Sequence, residues 1–179
     1  MNNINLPTWI TFSRLLGVPI VLIALLDPTD VRRWFSVIVF VIFAGTDWLD
    51  GYLARKLNQV TDLGKFLDPL VDKLLVMAPL MALVGLGEIP AWGVFLILAR
   101  ELTISGWRVN PAFQKGQVPG AGIWGKVKTV VQIIAIAILL APLSGIWHTS
   151  GILLFWAAVA LTWISGLLYL LPAKASAEA

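Results

Sequence analysis

Four aspartates stand where this 179-residue chain can least tolerate charge. Asp47 and Asp50 lie inside one long apolar run, and Asp68 and Asp72 lie at the start of the next. At ~100° per helical residue, Asp47, Asp50, Gly51 and Ala54 share one face within about 100° of arc, while Gly64, Asp68 and Asp72 follow an i, i+4, i+8 row. Two antiparallel helices joined by a short basic loop would bring the four carboxylates together. A carboxylate at the centre of a membrane helix costs ~2.5–3.5 kcal/mol, less near an interface, so such groups are functional candidates by default. The cations near in sequence are few: Arg55, Lys65 and Lys73. Hard divalent ions offset clustered carboxylates better, and carboxylate, water and phosphate oxygens are the ligands magnesium prefers. Gly51 and Gly64 lack side chains and would let a bulky ligand approach the backbone. A lone aspartate in such a helix is as readily a packing residue. Four at facing spacing, with two glycines and an arginine on the same faces, point to a site.

The elements that must hold this site are membrane helices. Hydrophobic residues make up 59% of the chain, charged residues 13%, and the mean hydropathy is +0.87. Soluble domains average roughly 45–50% apolar and about 25% charged. This excludes a disordered chain and argues against a water-soluble globule. A helix crossing the hydrocarbon core needs ~20 mostly apolar residues, and six runs qualify: 7–26, 34–56, 66–86, 90–108, 124–143 and 150–171. Stretches such as Ile133–Leu140 do not alternate, which excludes a barrel. The expected fold is therefore all-α, a single polytopic domain over residues 1–179 with six transmembrane helices. The first run is read as a retained helix, because no small-x-small cleavage site follows it. Thr149 and Ser150 are expected N-caps of the last run.

Basic residues set the orientation. Arg14, Arg55, Lys56, Lys65, Arg108, Lys115, Lys126, Lys128 and Lys174 fall on the side of the N-terminus, against Arg32 and Arg33 opposite. Both termini are thus expected in the cytoplasm, with the aspartates near that face. A channel or transporter would spread its acids along a pathway at several depths. The absence of cysteine excludes disulfides, thiolate zinc sites and a cysteine nucleophile. A net charge of +3 without a basic patch gives no reason to expect a nucleic-acid partner.

Written out, Asp47-x-x-Asp50-Gly51-x-x-Ala54-Arg55, eight residues, then Gly64-x-x-x-Asp68-x-x-x-Asp72 resembles the signature of the CDP-alcohol phosphotransferase family at every defined position. The resemblance implies six transmembrane helices, a site for two metal ions (Mg2+, with Mn2+ as the alternative) at the cytoplasmic surface of a bacterial inner or plasma membrane, and a homodimer. It implies metal ligation by Asp47, Asp50, Asp68 and Asp72, with Asp72 also the general base. Gly51, Arg55 and Thr61 map to positions that bind the CDP moiety, flanked by Ala54 and Gly64. Three softer blocks, Leu6-Pro7-Thr8-x-x-Thr11-x-x-Arg14, Ala99-Arg100-Glu101-Leu102 and Trp124-Gly125-Lys126-Val127-Lys128-Thr129, resemble the branch that transfers a phosphatidyl group from CDP-diacylglycerol to glycerol 3-phosphate. Thr8 stands where many relatives carry asparagine, and the 109–123 loop follows no family pattern.

A dianionic acceptor needs a basic pocket, for which Arg100, Arg108, Lys126 and Lys128 are the candidates. Arg100 and Arg108 sit about 80° apart around a helix, Lys126 and Lys128 about 200°; the lysines both reach one site only if their helix begins later or one snorkels. The other readings are branches using phosphatidylglycerol or an inositol phosphate as acceptor and, from a different class, a divalent-cation transporter. Glu101 reads as part of a packing or ion-pair network. His148, Asp27, Asp30 and Glu88 read as solvated loop residues. Trp9, Trp34, Trp92, Trp124 and Trp147 near run ends suit an interfacial belt, and Trp48 suits packing.

Overall fold

The computed structural model describes residues 6–56, 62–109 and 123–170, with side chains described for 13–46, 70–107 and 123–168. Six helices and no strand are present among them: α1 (Leu6–Ala24), α2 (Asp30–Lys56), α3 (Asp62–Gly85), α4 (Ala91–Val109), α5 (Ile123–Leu140) and α6 (Ile146–Leu170). α5 and α6 are each long and apolar enough to cross a membrane.

Three helices begin about a turn earlier than hydropathy places them, α2 and α3 with charged residues in their first turns and α6 directly after a glycine turn. Thr29 caps α2: its hydroxyl accepts from the Arg32 amide and its carbonyl from the Arg33 amide, and Asp30 puts a carboxylate against the helix N-terminus. α3 begins at Asp62 rather than 66. α6 begins at Ile146, straight after Gly145 with its φ of 63°. Thr149 and Ser150 are therefore not caps. Their hydroxyls donate back to the carbonyls of Gly145 and Ile146 within the first turns of the helix. The α3 C-terminus closes as a Schellman motif: the Glu88 amide donates to the Leu83 carbonyl, the Gly87 amide to that of Val84, and Gly87 takes a φ of 74°.

One core runs through the bundle. Val21, Phe40, Leu80, Leu83, Ile97, Ile136, Leu139 and Phe155 bring buried side chains from all six helices. On α5 the buried stripe is Lys128, Gln132, Ala135, Ile136 and Leu139, a helical face that is apolar for most of its length and polar at its beginning. The outward surface is apolar as well: Leu16, Ile23, Phe95 and Leu153 are each more than 60% exposed. Apolar side chains on both the inner and the outer face are expected of helices whose solvent is lipid. Trp34, Trp92, Trp124 and Trp147 are half-exposed near helix ends.

The end opposite the aspartates is tied by a clasp. Arg33 Nη1 donates to Glu88 Oε1 at 2.8 Å, while its Nε and Nη2 donate to the carbonyls of Leu140 and Leu139 at 3.0 and 2.8 Å. His148 Nε2 lies 2.8 Å from Glu88 Oε2. One arginine thereby joins the start of α2, the α3–α4 turn and the last carbonyls of α5, with α6 added through His148. This corrects the reading of Glu88 and His148 as solvated: the Glu88 side chain is only 19% exposed and is shared between two partners.

Candidate active site

The Arg33–Glu88 pair sets the start of α2 and the end of α3 at one level, so depth is counted from there. At 1.5 Å per residue, Asp47 and Asp50 lie about 26 and 30 Å along α2 from Asp30, and Asp72 and Asp68 about 20 and 26 Å back along α3 from Gly85. α2 and α3 pack on each other. The backbone thus carries the four motif positions to one half of the bundle, Asp47 and Asp68 level with each other and Asp50 and Asp72 about 4–6 Å to either side. Gly51, Ala54 and Arg55 continue α2 beyond them and Gly64 precedes them on α3. The side chains of Asp47, Asp50, Arg55, Asp68 and Arg108 lie outside the described set, as does Thr61 altogether. Among the described residues no three acidic, histidine or cysteine side chains gather. As chemistry, the donor set fits a divalent ion: four carboxylates are hard oxygen ligands, and two neighbouring helices carry them at the same end of the bundle.

Asp72 has a partner that sequence reasoning passed over. Arg14, on α1, is fully buried and its Nη1 bonds Asp72 Oδ1. α1 packs against both α2 and α3, so Arg14 reaches the motif from a third helix. Its signal is its position within an apolar run; the sequence reading uses it as a marker of orientation and as the end of the Leu6–Arg14 block, and not as a partner of the aspartates. An arginine here holds one carboxylate oxygen from the protein side and restricts where the other can point.

A second polar cluster stands beside the first. On α4, Val94, Ile97, Glu101 and Ile104 continue one inward stripe. Glu101 Oε1 accepts from Lys128 Nζ of α5 at 2.5 Å and from Arg100 Nη1 at 3.0 Å. Arg100 Nη2 donates to Ser165 Oγ of α6 at 2.9 Å. Lys73, the residue after Asp72, donates to Ser105 Oγ, which in turn donates to the Glu101 carbonyl. Two cations therefore bond one carboxylate, both with side chains largely removed from solvent, and a third, Lys73, is linked to the same residue through Ser105. The excess positive charge suits an anion with several oxygens. Adjacent Cα atoms are ~3.8 Å apart, so the Asp72–Lys73 step carries the backbone from the Arg14-bound aspartate to the cationic cluster.

The two lysines of the α5 block separate. α5 begins at Ile123, so both are helical; Lys128 is buried on the inward stripe and Lys126 is exposed. Glu101 and Lys73 complete the cluster and stood outside the sequence-based candidates.

A family profile described as CDP-alcohol phosphatidyltransferase matches residues 4–164, nine-tenths of the chain. The chain belongs to the CDP-alcohol phosphatidyltransferase family. As a member it is an enzyme of phospholipid synthesis, and the family is in general dependent on divalent metal. Among the relatives of this phosphatidyltransferase are three bacterial proteins, each named CDP-diacylglycerol–glycerol-3-phosphate 3-phosphatidyltransferase. That of Bacillus subtilis (strain 168) is 43% identical, with 90% of this chain and 91% of the relative covered. That of Rickettsia felis is 36% identical, covering 95% and 96%. That of Haemophilus influenzae is 36% identical, covering 96% and 95%.

Proposed function

We propose that this phosphatidyltransferase moves the phosphatidyl group of CDP-diacylglycerol onto glycerol 3-phosphate, releasing CMP and forming phosphatidylglycerophosphate. The observation that carries this reading is the buried Arg100–Glu101–Lys128 cluster, linked through Ser105 to Lys73, the residue that follows Asp72. It supplies cations for a phosphate-bearing acceptor beside a carboxylate able to take a proton. The names of the relatives point to the same acceptor.

The residues divide the work by chemistry. Gly51, Ala54, Arg55, Thr61 and Gly64 receive the CDP portion, Arg55 through the bidentate fork that guanidinium offers phosphate. Arg100, Arg108 and Lys128 hold the acceptor phosphate, and Lys126 stands at the rim. Asp72, steadied by Arg14, accepts the proton of the acceptor hydroxyl. The freed oxygen forms a bond to the phosphatidyl phosphorus as the bond from that phosphorus to the CMP oxygen breaks, and CMP leaves with the electron pair. Asp47, Asp50, Asp68 and Asp72 hold two divalent ions, magnesium by ligand preference; when bound, these supply neutralisation of pyrophosphate and leaving-group charge.

All six helices cross the membrane in this reading, as one domain over the whole chain, with both termini and the aspartate end at the cytoplasmic face of a bacterial cell membrane. The diacyl tails stay in the bilayer while the head group enters the polar end of the bundle. Outward apolar faces meet acyl chains, and a homodimer would bury one of them.

Purified protein supplied with CDP-diacylglycerol, glycerol 3-phosphate and Mg2+ is expected to release CMP. Chelation and Asp50→Asn should each abolish release, with Mg2+ restoring it only in the chelated sample. CMP release unaffected by both treatments refutes the assignment of the aspartates. Metal flux into liposomes without CMP release refutes the transferase reading.

A further inference from the structure

We propose that Ser165 and Gly166 of α6 are positioning residues for acceptor recognition: together they set the guanidinium of Arg100 in the orientation that receives the acceptor phosphate. This rests on the acceptor role proposed above for Arg100. α6 otherwise reads as an apolar span, and nothing in its sequence marks it as part of the site.

The geometry is specific. Arg100 comes from α4, and its side chain is 12% exposed. Its Nη1 is taken by Glu101 and its Nη2 by Ser165 Oγ, which itself donates to the Thr162 carbonyl and so has a defined direction. Between these anchors the stem lies flat on α6. A Cβ built at Gly166 would stand 2.8 Å from Arg100 Nε, 3.1 Å from Cγ and 3.5 Å from Cδ. The missing side chain is the space the guanidinium occupies. Arg100 has five N–H donors, and the described residues take two of them. The fork is thus held firmly and still has donors to offer a ligand.

A methyl group at position 166 cannot be absorbed by a free swing of the arginine, because its far end is tied to two other helical residues. Reaching an ordinary contact of ~3.5 Å requires Nε to move by ~0.7 Å. Bidentate recognition of a phosphate tolerates errors of only about 0.5 Å. Gly166→Ala should therefore disturb acceptor binding while leaving the donor site on α2 and α3 untouched.

The test is a kinetic split with a double-mutant cycle, using purified full-length enzyme and CMP release. Gly166→Ala is expected to raise KM for glycerol 3-phosphate by about tenfold, with kcat and the KM for CDP-diacylglycerol within about twofold. Ser165→Ala, which removes a hydroxyl without adding bulk, should raise the same KM by about threefold. In an Arg100→Ala background, Gly166→Ala should add less than about twofold, because the residue it acts through is gone. Gly93→Ala and Gly151→Ala report a purely structural effect. Their Cβ atoms would meet Phe155 at 2.7 Å and Leu139 at 2.9 Å, so they should lower the thermal midpoint and leave that KM alone. If Arg100→Ala leaves the KM unchanged, the acceptor role itself is wrong and the inference falls with it. If Arg100→Ala raises the KM and neither α6 variant does, the acceptor role stands and the positioning role is overturned. Full additivity of Gly166→Ala with Arg100→Ala also overturns it.

Discussion

Replacing Lys128 by methionine removes one ammonium and keeps the length of its buried stem. In the folded protein that ammonium sits 2.5 Å from Glu101 Oε1 in a side chain 10% exposed. A hydrogen bond to a charged partner contributes about 1.5–3 kcal/mol. Losing one such bond to the acceptor phosphate should lower kcat/KM for glycerol 3-phosphate by about ten- to 150-fold. Stability should fall less than for a broken buried pair, which costs about 3–5 kcal/mol, because Glu101 keeps Arg100 at 3.0 Å. Lys126→Met is the matched comparison: the same chemical change two residues away, at an exposed position on another face of α5. Exposed charges contribute about 0.2–1 kcal/mol, so its effect should stay under about fivefold. The assay is CMP release at saturating CDP-diacylglycerol with the acceptor varied, alongside a thermal midpoint for each variant. Equal losses from the two variants, or a larger one from Lys126→Met, would refute the assignment of the buried lysine to the acceptor.

Three further expectations follow from the other contacts. Arg33→Ala removes an ion pair and leaves two C-terminal carbonyls of α5 without their donor; about 3–5 kcal/mol of stability should be lost, read as a lower thermal midpoint, with the activity of the folded fraction unchanged. Arg14→Lys keeps the charge beside Asp72 and loses the rigid fork. It should lower kcat by about tenfold or more with both KM values within about twofold, since the step that suffers is proton removal; an unchanged kcat would count against a positioning role. Ser105→Ala deletes the link between Lys73 and the Glu101 carbonyl and should raise the acceptor KM by about threefold, the worth of one hydrogen bond.

Much of this architecture is legible in the chain because its signals are long or dense. Six runs are read from length and apolarity, and six helices are present, of which α5 and α6 are long and apolar enough to cross a membrane. The aspartate motif is read from eight positions within 26 residues, Asp47 to Asp72. Helix starts differ from the hydropathy bounds at α2, α3 and α6; at α2 the reason is visible, because hydropathy ignores a polar first turn where Thr29 and Asp30 begin the helix. Contacts between distant residues left no local trace. Arg14 and Asp72 are 58 positions apart, and Arg100 and Ser165 are 65 apart. Arg14 and Ser165 each have a plausible local role, one in topology and one in an apolar span. Lys126 and Lys128 are both helical because α5 begins at Ile123, and only Lys128 falls on the inward stripe with Gln132, Ala135 and Ile136. Glu88 and His148 looked solvated because loops usually are; Arg33 draws them into a clasp that no neighbouring residue announces.

The most direct test supplies the purified protein in lipid with CDP-diacylglycerol, Mg2+ and, in separate reactions, glycerol 3-phosphate, phosphatidylglycerol and inositol phosphate, with the lipid product identified by mass. The account predicts phosphatidylglycerophosphate in equal amount to CMP from the first acceptor and neither lipid product from the other two. Cardiolipin or a phosphatidylinositol phosphate as the main product would contradict it.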